Sequence, residues 1–220
     1  IQAENYLGLK GMTITSPPLL YDHTAPLVNY KGLSGGTGFS GQYYLTSLDK
    51  LGVDWEAEDP HTGISKREYA FTDKLEGEIQ WYATLEELLQ NIQLQPEKPY
   101  YLAVRATNGT GLTAMAFSEP VILITIKPEI TIETPVEQYD TTSYSGVIRV
   151  SDPGSMVIKL EYCIGTAPEQ ANLSMGLPGA NADGWITVNY PPQAFEIHQY
   201  ADIPLGTVYY LTTRAFNIAG

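Results

Sequence analysis

Cysteine is almost absent from this sequence, since Cys163 is the only one among 220 residues. One thiol cannot form an intramolecular disulfide, and it cannot build a zinc site from several thiolates. The shortage does not fix the cellular compartment, because secreted domains with adequate cores also avoid cysteine. We expect Cys163 to be a small buried side chain rather than a reactive thiol.

Basic residues and long apolar runs are also scarce. Twelve Lys and Arg stand against 25 Asp and Glu, which gives a formal net charge of −13. Nucleic acid and anionic lipid surfaces are bound by clustered Lys and Arg, so the composition argues against both as partners. No apolar run approaches the roughly 18–20 residues of a transmembrane helix, and no membrane span is predicted.

Motifs for catalysis are missing as well. The three histidines, His23, His61 and His198, are scattered along the chain. The sequence contains no H-E-x-x-H pair, no G-x-S-x-G elbow and no P-loop, and no Ser or Cys has a recognisable nucleophile setting. We therefore expect a protein that is not an enzyme and that needs no cofactor.

What the sequence does contain is an internal repeat. An A-x-N-x-x-G pattern occurs at Asn5, Asn108 and Asn217. These positions lie about 105 residues apart, which is the length of one small β-sandwich domain. The segment "EDPHTGISKREYAFTD" aligns with "SDPGSMVIKLEYCIGT", where Cys163 matches Ala70, and Trp81 aligns with Trp185. The second copy has a Gly/Asn/Pro-rich insertion at 168–184, which we expect to be a surface loop.

Apolar residues in each copy alternate as they do in strands. In "KPYYLAVRATN", Tyr100, Leu102, Val104 and Ala106 share one face, which predicts one buried and one solvated side. The segment "TLEELLQN" at 84–91 begins like a helix capping box. Because apolar residues keep strand parity up to the next strand, we predict a strand there, with at most a helical turn before it.

These motifs resemble the fibronectin type III-like repeats of large bacterial and archaeal surface proteins. In "VDWEAEDPHTGI", Trp55 falls on the core Trp of that family's second strand; Leu94 with Tyr100, and Ile203 with Tyr209, fall on its tyrosine corner. "YDHTAP" looks like the linker that precedes each repeat, and "IKPEI" would be its counterpart. The second copy departs from the pattern, because Ile148 stands where the core Trp is expected.

The resemblance implies an all-β protein of tandem fibronectin type III/immunoglobulin-like β-sandwiches arranged end to end. Residues 1–21 would be the terminal strand of a preceding repeat, 22–125 one sandwich, and 126–220 a second sandwich that lacks its last strand. The chain starts with Ile1, and we expect a segment of something longer. A neighbouring repeat, or a copy of the chain arranged head to tail, would supply the missing strand.

Two kinds of ligand are worth testing against this background. Calcium could bind Asp54, Glu56, Glu58 and Asp59 at the end of the predicted second strand, close to Asp22 of the linker. The alternative is that these carboxylates face water and keep an acidic surface soluble. A carbohydrate could stack on exposed rings, for which Trp81, Trp185, Tyr43 and Tyr44 are the candidates. The alternative is that the rings belong to the repeat architecture.

The sequences "NGT" and "NLS" form glycosylation sequons at Asn108 and Asn172, in loops that we expect to be exposed. Taken together, the sequence favours a structural or adhesive module of an extracellular or cell-surface repeat protein, in a fibre, sheath or surface layer. It would contact neighbouring repeats, copies of itself, or a glycan or protein ligand. The alternatives are an accessory carbohydrate-binding or spacer module of a secreted enzyme, and a recognition module that uses the 168–184 loop.

Overall fold

The computed structural model describes residues 2–133, 143–200, 206 and 208–220. Across these residues the chain is mostly β-sheet, with a single α-helix and one short 3-10 turn, so the prediction of an all-β protein is confirmed at this level. Among the described residues, no helix is long and apolar enough to cross a membrane.

The first group of strands forms two sheets. The strands are β1 (Leu27–Ser34), β2 (Thr37–Phe39), β3 (Gln42–Leu45), β4 (Gly52–Glu58), β5 (Ile64–Thr72), β6 (Pro99–Asn108) and β7 (Thr113–Leu123). Strands β1 and β4 pair antiparallel as one sheet, and the other sheet has the order β2-β3-β7-β6-β5. Its pairs are antiparallel except β3 with β7, which run parallel.

A single apolar cluster joins these sheets. It takes buried side chains from the five-stranded sheet and half-buried ones from β1 and β4, including Leu45, Phe71, Leu102, Val121, Leu33 and Val53. Each fully buried Leu or Phe contributes about 1.5–3 kcal/mol relative to exposure. The Tyr30 hydroxyl on β1 also donates to Glu119 Oε2 on β7 at 2.8 Å. Burial and that carboxylate raise the pKa of Tyr30, so this link between the sheets stays protonated.

The second group of strands forms two further sheets around its own cluster. The strands are β8 (Glu129–Glu133), β9 (Ser143–Ser151), β10 (Val157–Gly165), β11 (Ile186–Asn189), β12 (Ala194–Tyr200) and β13 (Tyr210–Asn217). The sheet orders are β12-β9-β8 and β11-β10-β13. Ile148, in place of the expected Trp, is fully buried in a core that includes Leu160, Tyr162, Ile164, Ile186 and Ile197.

The predicted alternation of buried and solvated faces is only partly right. Leu102, Val104 and Ala106 are buried as expected, but Ala103 on the opposite face of β6 is buried too. In β10, Cys163 is buried on the face that lies opposite the core. Burial raises the pKa of the Cys163 thiol, which therefore stays protonated at neutral pH and unreactive.

The prediction of a strand at 84–91 is wrong, because Leu85–Asn91 forms the α-helix α1. Thr84 caps it: the Glu87 N–H donates to Thr84 Oγ1 at 3.1 Å, and Glu87 Oε2 accepts from the Ala83 N–H at 3.0 Å. The capping box therefore decided the local structure. Leu88 of α1 is fully buried and belongs to the first core. The helix therefore covers this part of the core, where we predicted a strand.

Residues 2–21 show a turn and one isolated bridge, between Glu4 and Lys10, but no strand. Eight of the twenty large apolar side chains that are exposed among the described residues lie here, including Tyr6, Leu7, Met12, Ile14, Leu19 and Leu20. The assignment of this segment to a preceding repeat stays a prediction.

The insertion at 168–184 is largely exposed, as expected of a surface loop, but some of its side chains are anchored in the second strand group. Leu173, Leu177 and Ala180 pack against the second core. Ser174 is fully buried, its Oγ accepts from the Ile164 N–H at 3.1 Å, and it donates to the Gly184 carbonyl at 2.6 Å. The middle of the insertion is therefore attached to the end of β10 at Ile164.

Replacing Thr84 by Ala tests the helix. Loss of the Oγ1 acceptor should lower the free energy of unfolding by about 1 kcal/mol, as for other N-caps. Thr84→Ser keeps the acceptor and should cost only a few tenths of that amount. Urea denaturation followed by fluorescence measures both values; equal losses for the two variants would contradict the cap.

Candidate functional site

The side chain of Asn108, at the end of β6, joins three separate parts of the chain. It is only 1% exposed. Its Nδ2 donates to Asp22 Oδ2 at 3.0 Å, to the Thr24 carbonyl at 2.9 Å and to Asp59 Oδ2 at 3.2 Å. It thereby holds the segment that enters β1 and the turn between β4 and β5 against the end of β6.

The other end of the same amide shapes the turn between β6 and β7. Asn108 Oδ1 accepts from the Thr110 N–H at 3.1 Å and from the Leu112 N–H at 2.9 Å. The turn closes at Gly111, whose φ of +91° is strained for any side chain other than glycine. The A-x-N-x-x-G pattern therefore encodes a turn and, through Nδ2, its attachment to the entering segment.

Asp22 and Asp59 are satisfied by neighbouring donors. Asp59 Oδ1 accepts from the Thr62 N–H at 2.8 Å, and Asp22 Oδ1 accepts from the Thr24 N–H at 3.0 Å. The Thr62 hydroxyl donates to Asp22 Oδ2 at 2.8 Å. The Thr24 and Thr62 bonds lower the pKa of Asp22 to about 2, and the Thr62 N–H lowers that of Asp59. We call Asp22, Thr24, Asp59, Thr62 and Asn108 the Asn108 cluster.

Asn217 repeats this arrangement at the end of β13. Its Nδ2 donates to the Ile126 carbonyl at 3.2 Å and to Asp152 Oδ2 at 3.0 Å, as Asn108 does to Thr24 and Asp59. Asp152 Oδ1 accepts from the Gly154 N–H at 2.9 Å, as Asp59 does from its own turn. We call Ile126, Asp152 and Asn217 the Asn217 cluster. Asp22 of the first cluster has no equivalent in it.

Ile126 is held from both directions. Its carbonyl accepts from Asn217, and its N–H donates to Glu97 Oε1, which precedes β6, at 3.3 Å. The Thr125 N–H donates to the same oxygen at 2.9 Å. A Cβ on Gly154 would lie 2.8 Å from Glu97 Cγ, so the turn after β9 fits closely against Glu97. The segment between β7 and β8 therefore touches both strand groups and is bonded to each.

A second constellation occurs in both groups, on the sheet face opposite the core. The Arg105 guanidinium lies 4.1 Å from the Trp81 ring centroid and donates to Glu68 Oε2 at 2.7 Å. Arg214 lies 4.2 Å from the Trp185 ring and donates to Glu161 Oε2 at 2.6 Å. Lys66 and Lys159 pair with the same two glutamates, at 2.7 and 3.1 Å.

Both glutamates are buried residues in which ion pairing outweighs burial. Burial alone would raise the pKa of Glu68, but Lys66 and Arg105 lower it below its usual value. Burial, Arg214 and Lys159 act in the same way on the pKa of Glu161. Both carboxylates are therefore charged at neutral pH and hold each Arg over its Trp ring.

The structure gives little room to the predicted carbohydrate platform. Tyr43 is a buried core residue, and its hydroxyl accepts from the Gly36 N–H at 2.9 Å; the expectation that it is exposed is wrong. Tyr44 is half-buried and donates to Gln42 Oε1 at 2.5 Å. Trp81 and Trp185 are half-buried, each with one face under an Arg. Carbohydrate binding at these rings stays a prediction.

The predicted calcium ligands are not brought together. Asp54, Glu56 and Glu58 lie exposed along β4, and Glu56 pairs with Lys31. Asp59 is instead buried in the Asn108 cluster. In the part of the chain that the structure describes, no three or more His, Cys, Asp or Glu residues are grouped as a metal site would require. Calcium binding stays a prediction.

The two sequons differ sharply. Asn108 is buried, and Nδ2, the atom that would carry a glycan, is bonded to three acceptors, so the expectation of an exposed Asn108 is wrong. The amide is buried because it joins the turn to the entering segment. Asn172 is exposed, with its Nδ2 bonded to Thr166 Oγ1 at 3.1 Å. Glycosylation at Asn172 stays a prediction.

The structure describes the surroundings of three aromatic residues that the family pattern singles out, namely Tyr100, Trp55 and Tyr209. The Tyr100 hydroxyl accepts from the Gln95 N–H at 3.3 Å beside buried Leu94, which is the geometry of a tyrosine corner. Trp55 packs edge-on against Tyr69 with ring centroids 5.8 Å apart. Tyr209 is half-buried beside the second core, whereas its predicted partner Ile203 lies outside the described residues.

One further turn of the same kind was missed. Asn181 Oδ1 accepts from the Asp183 and Trp185 N–H groups at 3.0 and 2.9 Å, and Gly184 has a φ of +80°. Its sequence "NADG" carries the same N-x-x-G spacing as the three repeats. The N-x-x-G spacing was therefore visible in the sequence, but it lies inside the insertion and does not fall at the interval of the repeat.

No protein-family model matches the chain, and no curated protein matches it. Among solved structures, it matches a 1.5-MDa bacterial ice-binding adhesin, described for its retention on a host cell surface, with a TM-score of 0.32 and 10% identity. The match covers 90% of this chain and 66% of that one.

Replacing Asn108 by Ala should weaken the first strand group. The change leaves Asp22, Asp59 and two turn amides without their partner, so the free energy of unfolding should fall by about 1–3 kcal/mol. Asn5 makes the same turn at an exposed position and is the matched control: Asn5→Ala should cost less than about 0.5 kcal/mol. Equal costs in chemical denaturation would show that the attachment to the entering segment contributes nothing.

Acid should loosen the Asn108 cluster. Because the folded-state pKa of Asp22 is about 2 against an ordinary 3.8, its ionised form contributes stability above about pH 4. That contribution is lost as the pH falls from about 4 to 2. Asp22→Asn should therefore flatten the fall of the melting temperature over this window in circular dichroism, whereas Asp183→Asn, at an exposed position, should not. Parallel curves for all three proteins would refute the assignment.

Proposed function

We propose that this chain is a non-catalytic structural or adhesive segment of an extracellular or cell-surface protein. It would consist of two fibronectin type III-like sandwiches, 22–125 and 126–220, that follow one another end to end. In this role, the chain keeps the parts of the protein before and after it at a fixed distance from each other. The carrying observation is the connection at Ile126, which is bonded to both strand groups.

The bonding of Ile126 matters because an ordinary linker bends freely. A short connection whose backbone groups face water samples many angles. Here the Ile126 N–H and carbonyl are taken by Glu97 and Asn217, and Gly154 fits against Glu97. Bending would require breaking these bonds and separating that contact. The geometry therefore supports a stiff spacer rather than two domains joined by a flexible linker.

The repetition of parts supports the assignment of two equivalent units. Both strand groups carry an Asn cluster at the start of the unit and an Arg held between a Trp and a Glu on the outer sheet face. These contacts place corresponding residues of the two copies in corresponding environments. Repeated units with one kind of connection are what an extended spacer requires.

Measuring the distance between the two units tests this proposal. With Cys163 replaced by Ala, as in the other copy, cysteines at the exposed positions Gln80 and Thr187 would carry spin labels. Pulsed electron paramagnetic resonance should give one narrow distance distribution. Adding Glu97→Ala and Asn217→Ala together should broaden it several-fold, while adding Asn5→Ala should not. A broad distribution in the otherwise unchanged chain would overturn the stiff spacer.

A further inference from the structure

We propose that the edge of β4 that faces away from β1 binds an extended segment of another protein as an added strand, and that Lys or Arg alternates with apolar residues in this segment. We call this edge the β4 edge. The proposal goes beyond the spacer and does not depend on it. It comes from comparing the two strand groups, because the second has a strand at this position and the first does not.

In the second group, the strand β9 is paired on both edges. Strand β8 lies along one edge and β12 along the other. Phe195 of β12 lies opposite Ile148, and Ile197 lies opposite Gly146. Ile197 is buried in the second core and Phe195 packs against it. Strand β12 therefore satisfies the backbone of β9 and also closes one side of the core.

In the first group, the corresponding edge is unpaired. The alignment of "EDP" with "SDP" makes β4 the counterpart of β9, and Trp55 the counterpart of Ile148. Strand β4 pairs with β1 and, among the described residues, with no other strand. The chain between β5 and β6 forms α1 instead of a counterpart of β12, and α1 lies against β5. All residues from β1 to β7 are described, so the edge lies inside a complete strand group.

The backbone of β4 directs bonding groups to this edge. In the second group, the Val150 N–H donates to the Gln193 carbonyl, just before β12, at 2.9 Å. Ala57 is the counterpart of Val150, so its N–H and carbonyl face the β4 edge. The contact with Arg67 agrees, since Arg67 Nη2 donates to the Ala57 carbonyl at 3.4 Å. Backbone direction repeats at every second residue, so Trp55 presents its groups there too.

The contact that covers the β4 edge is easily displaced. Arg67 is exposed, and its guanidinium lies 5.9 Å from the Trp55 ring centroid. Its bond to the Ala57 carbonyl is longer than a usual N–H···O bond. An arriving strand can therefore replace the guanidinium at this carbonyl. An apolar residue of that strand would then meet half-buried Trp55, as Phe195 meets Ile148.

The outward side chains of β4 determine the charge of the occupant. Asp54, Glu56 and Glu58 alternate along the strand and are exposed. Opposite charges across a strand pair are stabilising, and like charges directly opposite are destabilising. A second copy that paired β4 with β4 would set these carboxylates against one another. The charge complement is a segment with Lys or Arg at its outward positions and apolar residues at its inward positions.

Titration with two capped synthetic peptides tests strand addition. Both have the seven-residue length of β4 and alternate Lys with Val; in the second peptide, every Val is N-methylated. Methylation removes the backbone donors that would face β4 and keeps the charge. The unmodified peptide should bind and shift the amide NMR signals of Trp55 and Ala57 most. The methylated peptide should bind far more weakly. Equal binding of the two would show attraction by charge alone and contradict an added strand.

Two matched double variants test the charge complement. Asp54→Asn with Glu58→Gln removes two carboxylates beside the β4 edge and should weaken binding of the Lys-Val peptide about fivefold or more. Asp183→Asn with Glu129→Gln removes the same charge at exposed positions of the second group and should change the affinity by less than about twofold. Isothermal titration measures both, and equal losses would refute the role of β4. All four residues are exposed, so circular dichroism should be unchanged.

The other possible occupant is a second copy, which light scattering of the chain alone would show. Dimers that the Lys-Val peptide dissociates would place a second copy on the β4 edge and overturn the proposal. Absence of peptide binding at millimolar concentration would overturn it as well. In either case the narrow distance distribution expected above would still stand, because it concerns the connection at Ile126.

Discussion

The attachment of each entering segment by one asparagine amide is the constraint on which the remaining organisation depends. Asn108 and Asn217 use one end of the amide for a backbone carbonyl of that segment and a turn aspartate, and both use the other end for their own turn. The ends of β6 and β13 are therefore each coupled to the segment through which the chain enters that strand group. Since the amide is buried or nearly so, water cannot replace these partners without loss. The segment between β7 and β8 is thereby part of the folded structure, since both the N–H and the carbonyl of Ile126 are bonded.

Much of this could be read from the sequence because it depends on repetition and period. The A-x-N-x-x-G spacing, the alignment of Trp81 with Trp185 and the match of Cys163 to Ala70 each correspond to equivalent surroundings in the structure. Strand alternation located β6 and β10. These signals are local or repeat at a fixed interval, so a single sequence is enough to find them.

The remaining features depend mostly on contacts between residues that are far apart in the sequence. The strand predicted over 84–91 gave way to α1 because one capping box outweighed an apolar alternation that also suits a helix face. Acidic residues near one another in sequence were separated, since Asp59 turns inward to Asn108 while Glu56 stays exposed on β4. The Arg that covers each Trp comes from a strand distant in sequence, so ring exposure could not be judged from the rings alone.

The position of the Asn108 cluster has a mechanical consequence. A pull on the chain enters the first unit through Thr24, ahead of β1, so the bonds of Asn108 carry the tension before the β1–β4 ladder does. Rupture of these bonds would release a few residues and leave both sheets of the first strand group intact. The buried acceptors would favour re-formation of the bonds once the force fell. Asp22 bonds only to the first entry, and Glu97 bonds only to the second, so the two attachments would resist a pull through different sets of hydrogen bonds.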